Sequence, residues 1–243
     1  MTKPAPSSID LHCHSTASDG LLRPDELVRY ASDRGVSIIG LTDHDSTQGI
    51  AEAMRAGIET GVTIIPGVEL SSEIEGLQAH ILGYFIDPAS ESLQQEFAWM
   101  NESRRERIGR IVWNLNAAGI PIEVEDVLER AGEGTVGRPH VARVLVDRGH
   151  ATSVSDAFAR YLTRGKPGYA LSEKITPEGA IQAIQRAGGV AVLAHPWSTE
   201  DPVGAVARLA PAGLAGLESF YGEYSPEVRR ELANLAAEYG LIP

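Results

Sequence analysis

The sequence predicts an α/β barrel of strand–helix repeats, interrupted by a helical segment. Three observations point there. Short apolar, β-like runs alternate with amphipathic ones. Several of those runs stop at a His, Asp or Glu, and residues near 90–170 show no buried-strand pattern. Strand then helix, repeated, implies a largely parallel sheet, and chemistry gathered at strand ends favours a barrel over an open sheet.

The elements follow in order. Ile9–His12 reads as a strand. Arg23-Pro24-Asp25-Glu26 opens a helix, with Pro early and acids in the first turn. Leu27, Tyr30 and Ala31 continue it at helical spacing, and Gly35 closes it. Ser37–Thr42, Thr63–Pro66 and Ala79–Tyr84 read as strands, with a helix over Gln48–Thr60 ended by Gly61. Four helices follow, over Leu93–Ala118, Glu123–Ala131, Pro139–Arg148 and Ser155–Leu162. Lys166-Pro167-Gly168-Tyr169 reads as the return linker, with Lys166 or Tyr169 within reach of the mouth. Thr176-Pro177-Glu178 opens a helix running through Ile181 and Ile184 to Gly188-Gly189. Val190–His195 and Leu214–Glu218 are further strands, and Glu231–Gly240 is a last helix. Residues 1–92 and 171–243 are therefore expected to build the barrel, and 93–170 a helical cap over its mouth. Leu241-Ile242-Pro243 reads as the start of one more strand, so the sequence is expected to be a truncated form.

Composition narrows the function. The formal net charge is −12, which argues against duplex DNA or an anionic membrane as partner, since both need a basic face. It leaves room for a small phosphorylated substrate, which a few local cations can hold. The lone Cys13 excludes an intrachain disulfide and fits a reducing compartment. Met1–Ser8 is polar, without the apolar core of a signal peptide, and no apolar run approaches a membrane span. A cytoplasmic location is expected.

The candidate ligands are His12, His14, Asp19, Asp43, His44, Asp45, Glu69, His80 and His195. His12 and His14 lie two apart on a strand, so their imidazoles share a face and Cys13 points away. Imidazole and carboxylate together suit Zn, Mn or Fe. Any one of these histidines alone reads as a hydrogen-bonded core residue. Gathered without a cation, they would suffer desolvation and like-charge repulsion. The set therefore reads as the metal centre of a hydrolase.

Asp10-Leu11-His12-Cys13-His14-Ser15, Ser18-Asp19-Gly20, Leu41-Thr42-Asp43-His44-Asp45, Gly67-Val68-Glu69 and Ala194-His195-Pro196 together resemble the PHP (polymerase and histidinol phosphatase) family. The likeness is strongest to its stand-alone bacterial phosphoesterases, which act on nucleoside 3′,5′-bisphosphates, AMP-like compounds and short RNA 5′ ends. The resemblance implies a distorted (β/α)7 TIM-like barrel with an inserted helical subdomain and two or three divalent ions (Mn, Fe or Zn). It places the metal ligands at His12, His14, Asp19, His44, Glu69, His80 and His195. Asp19 and His44 would also act in catalysis, while Asp43 and Asp45 fit supporting or proton-handling roles. The family pattern ends in a Ser-Asp-x-His segment that this sequence does not reach, which puts its metal occupancy in question.

Arg104 falls on the apolar stripe Phe97, Met100, Ile108, Ile111, Leu115, with Arg107 beside it, so an anionic partner is expected. That partner is either a ligand or a neighbouring acid such as Glu102 or Glu106. Pro139 suits the first helical position, which puts Arg138 at a helix start, where anions bind well. His140 reads as a plain first-turn residue. The resemblance implies that Arg104, Arg107 and Arg138 grip substrate phosphate. The expected activity is hydrolysis of a nucleotide or short-RNA phosphate ester by metal-bound hydroxide. The rival readings are an amidohydrolase-type hydrolase and a non-catalytic metal-bound module. No Gly-x-Ser-x-Gly elbow and no Walker loop calls for another mechanism.

Overall fold

The computed structural model describes residues 8–74, 77–132, 135–171, 174–199 and 201–243. The N-terminal stretch Met1–Ser7, read above for targeting signals, lies outside the described residues. Six strands form one sheet whose spatial order is their sequence order: β1 (Ile9–Cys13), β2 (Ile38–Leu41), β3 (Thr63–Ile74), β4 (Leu77–Tyr84), β5 (Val190–Leu193) and β6 (Gly216–Leu217). The sheet curls. His12 on β1 and Glu218 just past β6 touch across its two edges, with Nδ1 and Oε1 2.8 Å apart. Ile242 adds a parallel bridge to Gly216.

The expectation of a largely parallel sheet needs correction. β1, β2 and β3 are parallel, as are β5 and β6, but β4 runs antiparallel to both of its neighbours. Only two residues separate β3 from β4. So short a link can close a hairpin but cannot carry a parallel crossover. β3 also runs to Ile74, well beyond the expected end at Pro66. Glu69 and His80 therefore sit inside the hairpin rather than at strand ends. Pro66 sits at the last paired position with β2, just before the pairing with β4 begins at Gly67.

The helices are α1 (Pro24–Ser32), α2 (Ile50–Thr60), α3 (Glu91–Ala117), α4 (Val124–Ala131), α5 (Arg138–Asp147), α6 (Val154–Ala157), α7 (Pro177–Arg186), α8 (Pro202–Leu209) and α9 (Pro226–Glu238). The expected helix over Ser155–Leu162 is split. After α6, Phe158–Leu162 widens into a π-helical turn. In α1 the buried positions are Pro24, Val28 and Ala31, and Tyr30 faces solvent under the Arg34 guanidinium. Thr176 caps α7 by accepting from the Gly179 amide at 3.1 Å, which starts the helix where Pro177 fits its first turn. Among the described residues no helix is long and apolar enough to cross a membrane.

Two apolar cores exist. One joins the sheet to α1, α2, α7, α8 and α9 through residues such as Ile39, Leu70, Ile81, Ile184 and Leu217. The second lies among the helices, around Ile111, Leu115, Val127, Val141, Leu145 and Leu162. Helix α3 serves both: Leu93, Phe97 and Met100 enter the first, and Ile108, Ile111, Val112 and Leu115 enter the second. Ile111 and Leu115 are fully buried, and truncating either to Ala would cost about 2–5 kcal/mol. Between these two apolar stretches α3 carries Arg104 and Arg107. The stripe is interrupted where the helix crosses the cavity described next.

Candidate metal centre

Five imidazoles converge on one buried carboxylate. Glu69 is 1% exposed at its side chain. Its Oε2 lies 3.1 Å from His12 Nε2, 3.0 Å from His14 Nε2 and 3.4 Å from His44 Nδ1. Its Oε1 lies 2.7 Å from His80 Nδ1 and 3.0 Å from His195 Nε2. Asp19 joins at the edge, 3.5 Å from His14 Nδ1 and 4.0 Å from His44 Nε2. Thus His12, His14, Asp19, His44, Glu69, His80 and His195, drawn from six separate stretches of sequence, meet in one place.

The elements explain the meeting. The pleat of β1 turns His12 inward and leaves Cys13 against the first core. His14 follows on the loop, where Asp43 fixes the chain by accepting from Ser15 N (2.7 Å), Ser15 Oγ (2.7 Å) and Ser18 Oγ (2.6 Å). Gly20 lets this loop fold tightly, since a Cβ there would stand 2.3 Å from the His14 carbonyl oxygen. His44 bridges to Glu69 in parallel fashion just past β2. His195, beyond β5, has φ +27°, a left-handed conformation that non-glycine residues adopt only under local constraint.

The protonation pattern suits a cation. Burial alone would raise the Glu69 pKa, but His44, His80, His12 and His14 together hold it well below the ordinary carboxylate range. Burial, helped by His80 and His14, pushes His44 down to about 4, so it stays neutral. Burial opposes a charge on His12 too, yet Glu218 and Glu69 outweigh it and lift His12 to about 10. In the metal-free chain a proton on His12 thus does part of what a divalent ion would do.

Three further details fit a metal. His12 and His14 present Nε2 to each other at only 3.1 Å, an approach natural for two donors aimed at one ion. His44 Nδ1 is buried without a hydrogen-bond partner. His12 and His195 turn Nε2 inward while Nδ1 is held from behind, by Glu218 at 2.8 Å and by Ser198 Oγ at 2.9 Å. This is the outer-shell arrangement that orients metal-binding imidazoles. Among the described residues three donor groups are compact enough to hold an ion: His12–His14–Glu69, His14–Asp19–His44 and His44–Glu69–His80.

A cavity of about 160 Å³ opens beside the cluster. It is lined by Asp19, His44 and His80 of the cluster and by the cations Arg104, Arg107, Arg138 and Lys174. The partner of Arg104 is neither Glu102 nor Glu106. It is Asp45, which takes Nε at 2.8 Å and a second contact from Nη2, while Ser71 Oγ accepts from Nη2 at 2.8 Å. Asp45 also accepts from the Ser71 amide at 2.9 Å. Both Asp43 and Asp45 are thus fully engaged in positioning. Arg107 is buried and donates Nε to the Ala170 carbonyl at 2.8 Å. Among the described residues neither Arg107 nor Arg138 is paired with a carboxylate. Burial, followed by the repulsion of Arg138 and Arg104, lowers Arg107 to about 10. His140 accepts from the Gly137 amide at 3.1 Å, closing the first turn of α5, and it also lines the cavity.

Glu218, Ser71 and Lys174 were not among the residues singled out from sequence. Glu218 ends a run read as a strand, the same signal that marked His12 and His195. Lys174, 3.3 Å from Glu73, is a further cation that the return segment brings to the cavity.

Comparison with known proteins gives concordant findings. The model of the PHP domain matches residues 10–121. The 5′-3′ exoribonuclease Rnm of Salmonella typhimurium is 40% identical over 96% of this chain and 81% of its own length. The 3′,5′-nucleoside bisphosphate phosphatase of Chromobacterium violaceum is 36% identical over 97% of this chain and 84% of its own. A solved structure of an amidohydrolase from Chromobacterium violaceum, with bound sulfate and no metal, superposes with a TM-score of 0.91 at 36% identity, covering 97% of this chain and 84% of that one. A structure from Bifidobacterium adolescentis assigned as a metal-dependent phosphoesterase gives 0.87 at 32% identity, covering 98% and 86%.

Proposed function

The chain belongs to the PHP family of metal-dependent phosphoesterases, and from that premise we propose that it hydrolyses a phosphate ester of a nucleotide. The substrate class is a nucleoside 3′,5′-bisphosphate, an AMP-like compound or the 5′ end of a short RNA. One observation carries the reading: a His/carboxylate cluster and three arginines share the walls of a single cavity. The amide-hydrolase reading predicts no need for those arginines.

In this reading His12, His14, Asp19, His44, Glu69, His80 and His195 hold two or three divalent ions of the Mn, Fe or Zn type. Bound there, the ions supply Lewis-acid charge and lower the pKa of water to ~7. Arg104, Arg107 and Arg138 donate to the phosphate oxygens and balance their charge in the transition state. Lys174 adds a fourth cation. Asp19 and His44, together with a third ion, would settle the leaving oxygen or the second phosphate. Glu218 orients His12, and Asp45 with Ser71 holds the Arg104 fork toward the substrate. The long helix α3 and the helices after it, 93–170, act as an inserted cap on a distorted (β/α)7 barrel formed by 1–92 and 171–243.

Phosphate release from adenosine 3′,5′-bisphosphate and from AMP, with Mn added, tests the reading. Release that depends on metal and falls in Arg104→Ala through a higher KM supports it. Hydrolysis of amide substrates alone, or release indifferent to Arg104, overturns it.

A further inference from the structure

Aromatic side chains on the other flank of the cluster take no part in the reading above. Tyr221 stands with its ring 6.3 Å from that of His12 and 6.2 Å from that of His195. Tyr224 packs against it at 5.2 Å, and its hydroxyl accepts from the Trp197 amide at 3.1 Å. The two tyrosine rings are thus continuous with the metal-ligand candidates, and the backbone of Trp197 is tied to them. Trp197 is 48% exposed, and the two tyrosines are half-buried. Arg229 Nη2 donates to the Gly222 carbonyl at 3.3 Å, which ties down the loop between the tyrosines.

The cluster therefore has two unlike sides. The arginine cavity is bounded by Asp19, His44 and His80, while His12 and His195 face the aromatic group. Charge differs as sharply. The arginine side offers cations, whereas the negative charges of Glu223 and Glu218 act on Tyr221. A phosphate backbone would be repelled there. A nucleobase would not: it brings a π-face without formal charge, and aromatic side chains are the platforms on which unpaired bases stack.

Building on the phosphoesterase reading, we propose that Trp197, Tyr221 and Tyr224 form a stacking site for a nucleobase adjoining the scissile phosphate, on the flank away from the arginine cavity. A nucleotide chain would then be held by phosphate on one flank and by base on the other. Such a site favours substrates longer than one nucleotide and tolerates any base, since every base has a π-face.

Binding separates this site from the chemistry. Two 5′-phosphorylated, phosphorothioate-linked tetraribonucleotides are titrated by fluorescence anisotropy in the presence of Mn. One carries all its bases, and the other is abasic after the first nucleotide. The base-bearing oligomer is expected to bind about tenfold more tightly, as one stacked base provides. Tyr221→Leu and, independently, the more exposed Trp197→Leu should each remove most of that preference and leave the abasic affinity in place. Equal affinity for the two oligomers overturns the proposal, as does an equal loss for both in the variants. A dimer that buries Trp197, detected by sedimentation and loosened by Trp197→Leu, also overturns it. Release of phosphate from the nucleoside bisphosphate is measured separately. Base-dependent binding without release would sink the catalytic reading alone, and release without base dependence would sink the stacking site alone.

Discussion

The two walls of the cavity solve opposite electrostatic problems. The floor belongs to a cluster of five imidazoles around one ionised carboxylate, of which His44 and His80, with Asp19, line the cavity; short contacts between side chains brought in by the strands and the loops that follow them hold it. The roof gathers cations from α3, α5 and the return segment, and two of them, Arg107 and Arg138, have no carboxylate partner among the described residues. The floor is a set of electron-pair donors and the roof a set of proton donors. A dianionic ester bridged to cations matches both at once, and neither wall alone would select it. On the proposed reading specificity is divided: the floor would decide which bond can break, and the roof which molecules stay long enough.

That division can be broken first at the floor. Glu69→Gln should reduce metal content and phosphate release together by at least about a hundredfold, since even outer-shell metal partners cost 10–100-fold; elemental analysis with a release assay reads both. Arg107→Met should leave metal content intact and raise KM roughly 10- to 150-fold, the worth of one charge-assisted hydrogen bond. Its melting temperature should hold or rise, because an apolar side chain replaces a buried cation that lacks a carboxylate partner. If metal content fell with it, the walls would not be separable. Glu218→Gln tests the floor from behind. It should weaken metal affinity by about 10-fold, at the low end of the outer-shell range, with KM little changed at saturating metal.

The smallest effect concerns pH. Burial, only partly offset by Glu73 and reinforced by Arg107 and Arg138, lowers Lys174 to about 8 from its ordinary 10.5. Between those values the unfolded chain binds more protons than the folded one, so this group makes stability rise as pH rises from about 8 toward 10.5. Below about 8 the cost of charging it is fully present. Thermal melts of wild type and Lys174→Met should therefore converge as the buffer moves from pH 7 to pH 10. Parallel curves would remove Lys174 from the buried roof.

The floor was more legible in the sequence than the roof. Ligand-type residues placed after β-like runs gave His12, His14, His44 and His195, because strand periodicity fixes which way a side chain faces. The hairpin of β3 and β4 was not foreseen. Thr63–Pro66 ended the apolar run, and pairing partners of residues 67–74 lie in β4, whose direction no local pattern reveals. Glu218 carried the right signal, but an acid after a short apolar run also reads as a helix cap. On the roof, helical spacing marked Arg104 as anomalous. Its partner Asp45 lies 59 positions away, and that pairing depends on where α3 crosses the sheet.

Asp45 has a consequence for how the molecule responds to load. It adjoins His44 in the chain, bonds the Ser71 amide of the hairpin, and grips the guanidinium of α3. Its φ of +48° leaves little slack in that joint. A displacement of the Arg104 side chain would therefore be felt at the residue next to His44.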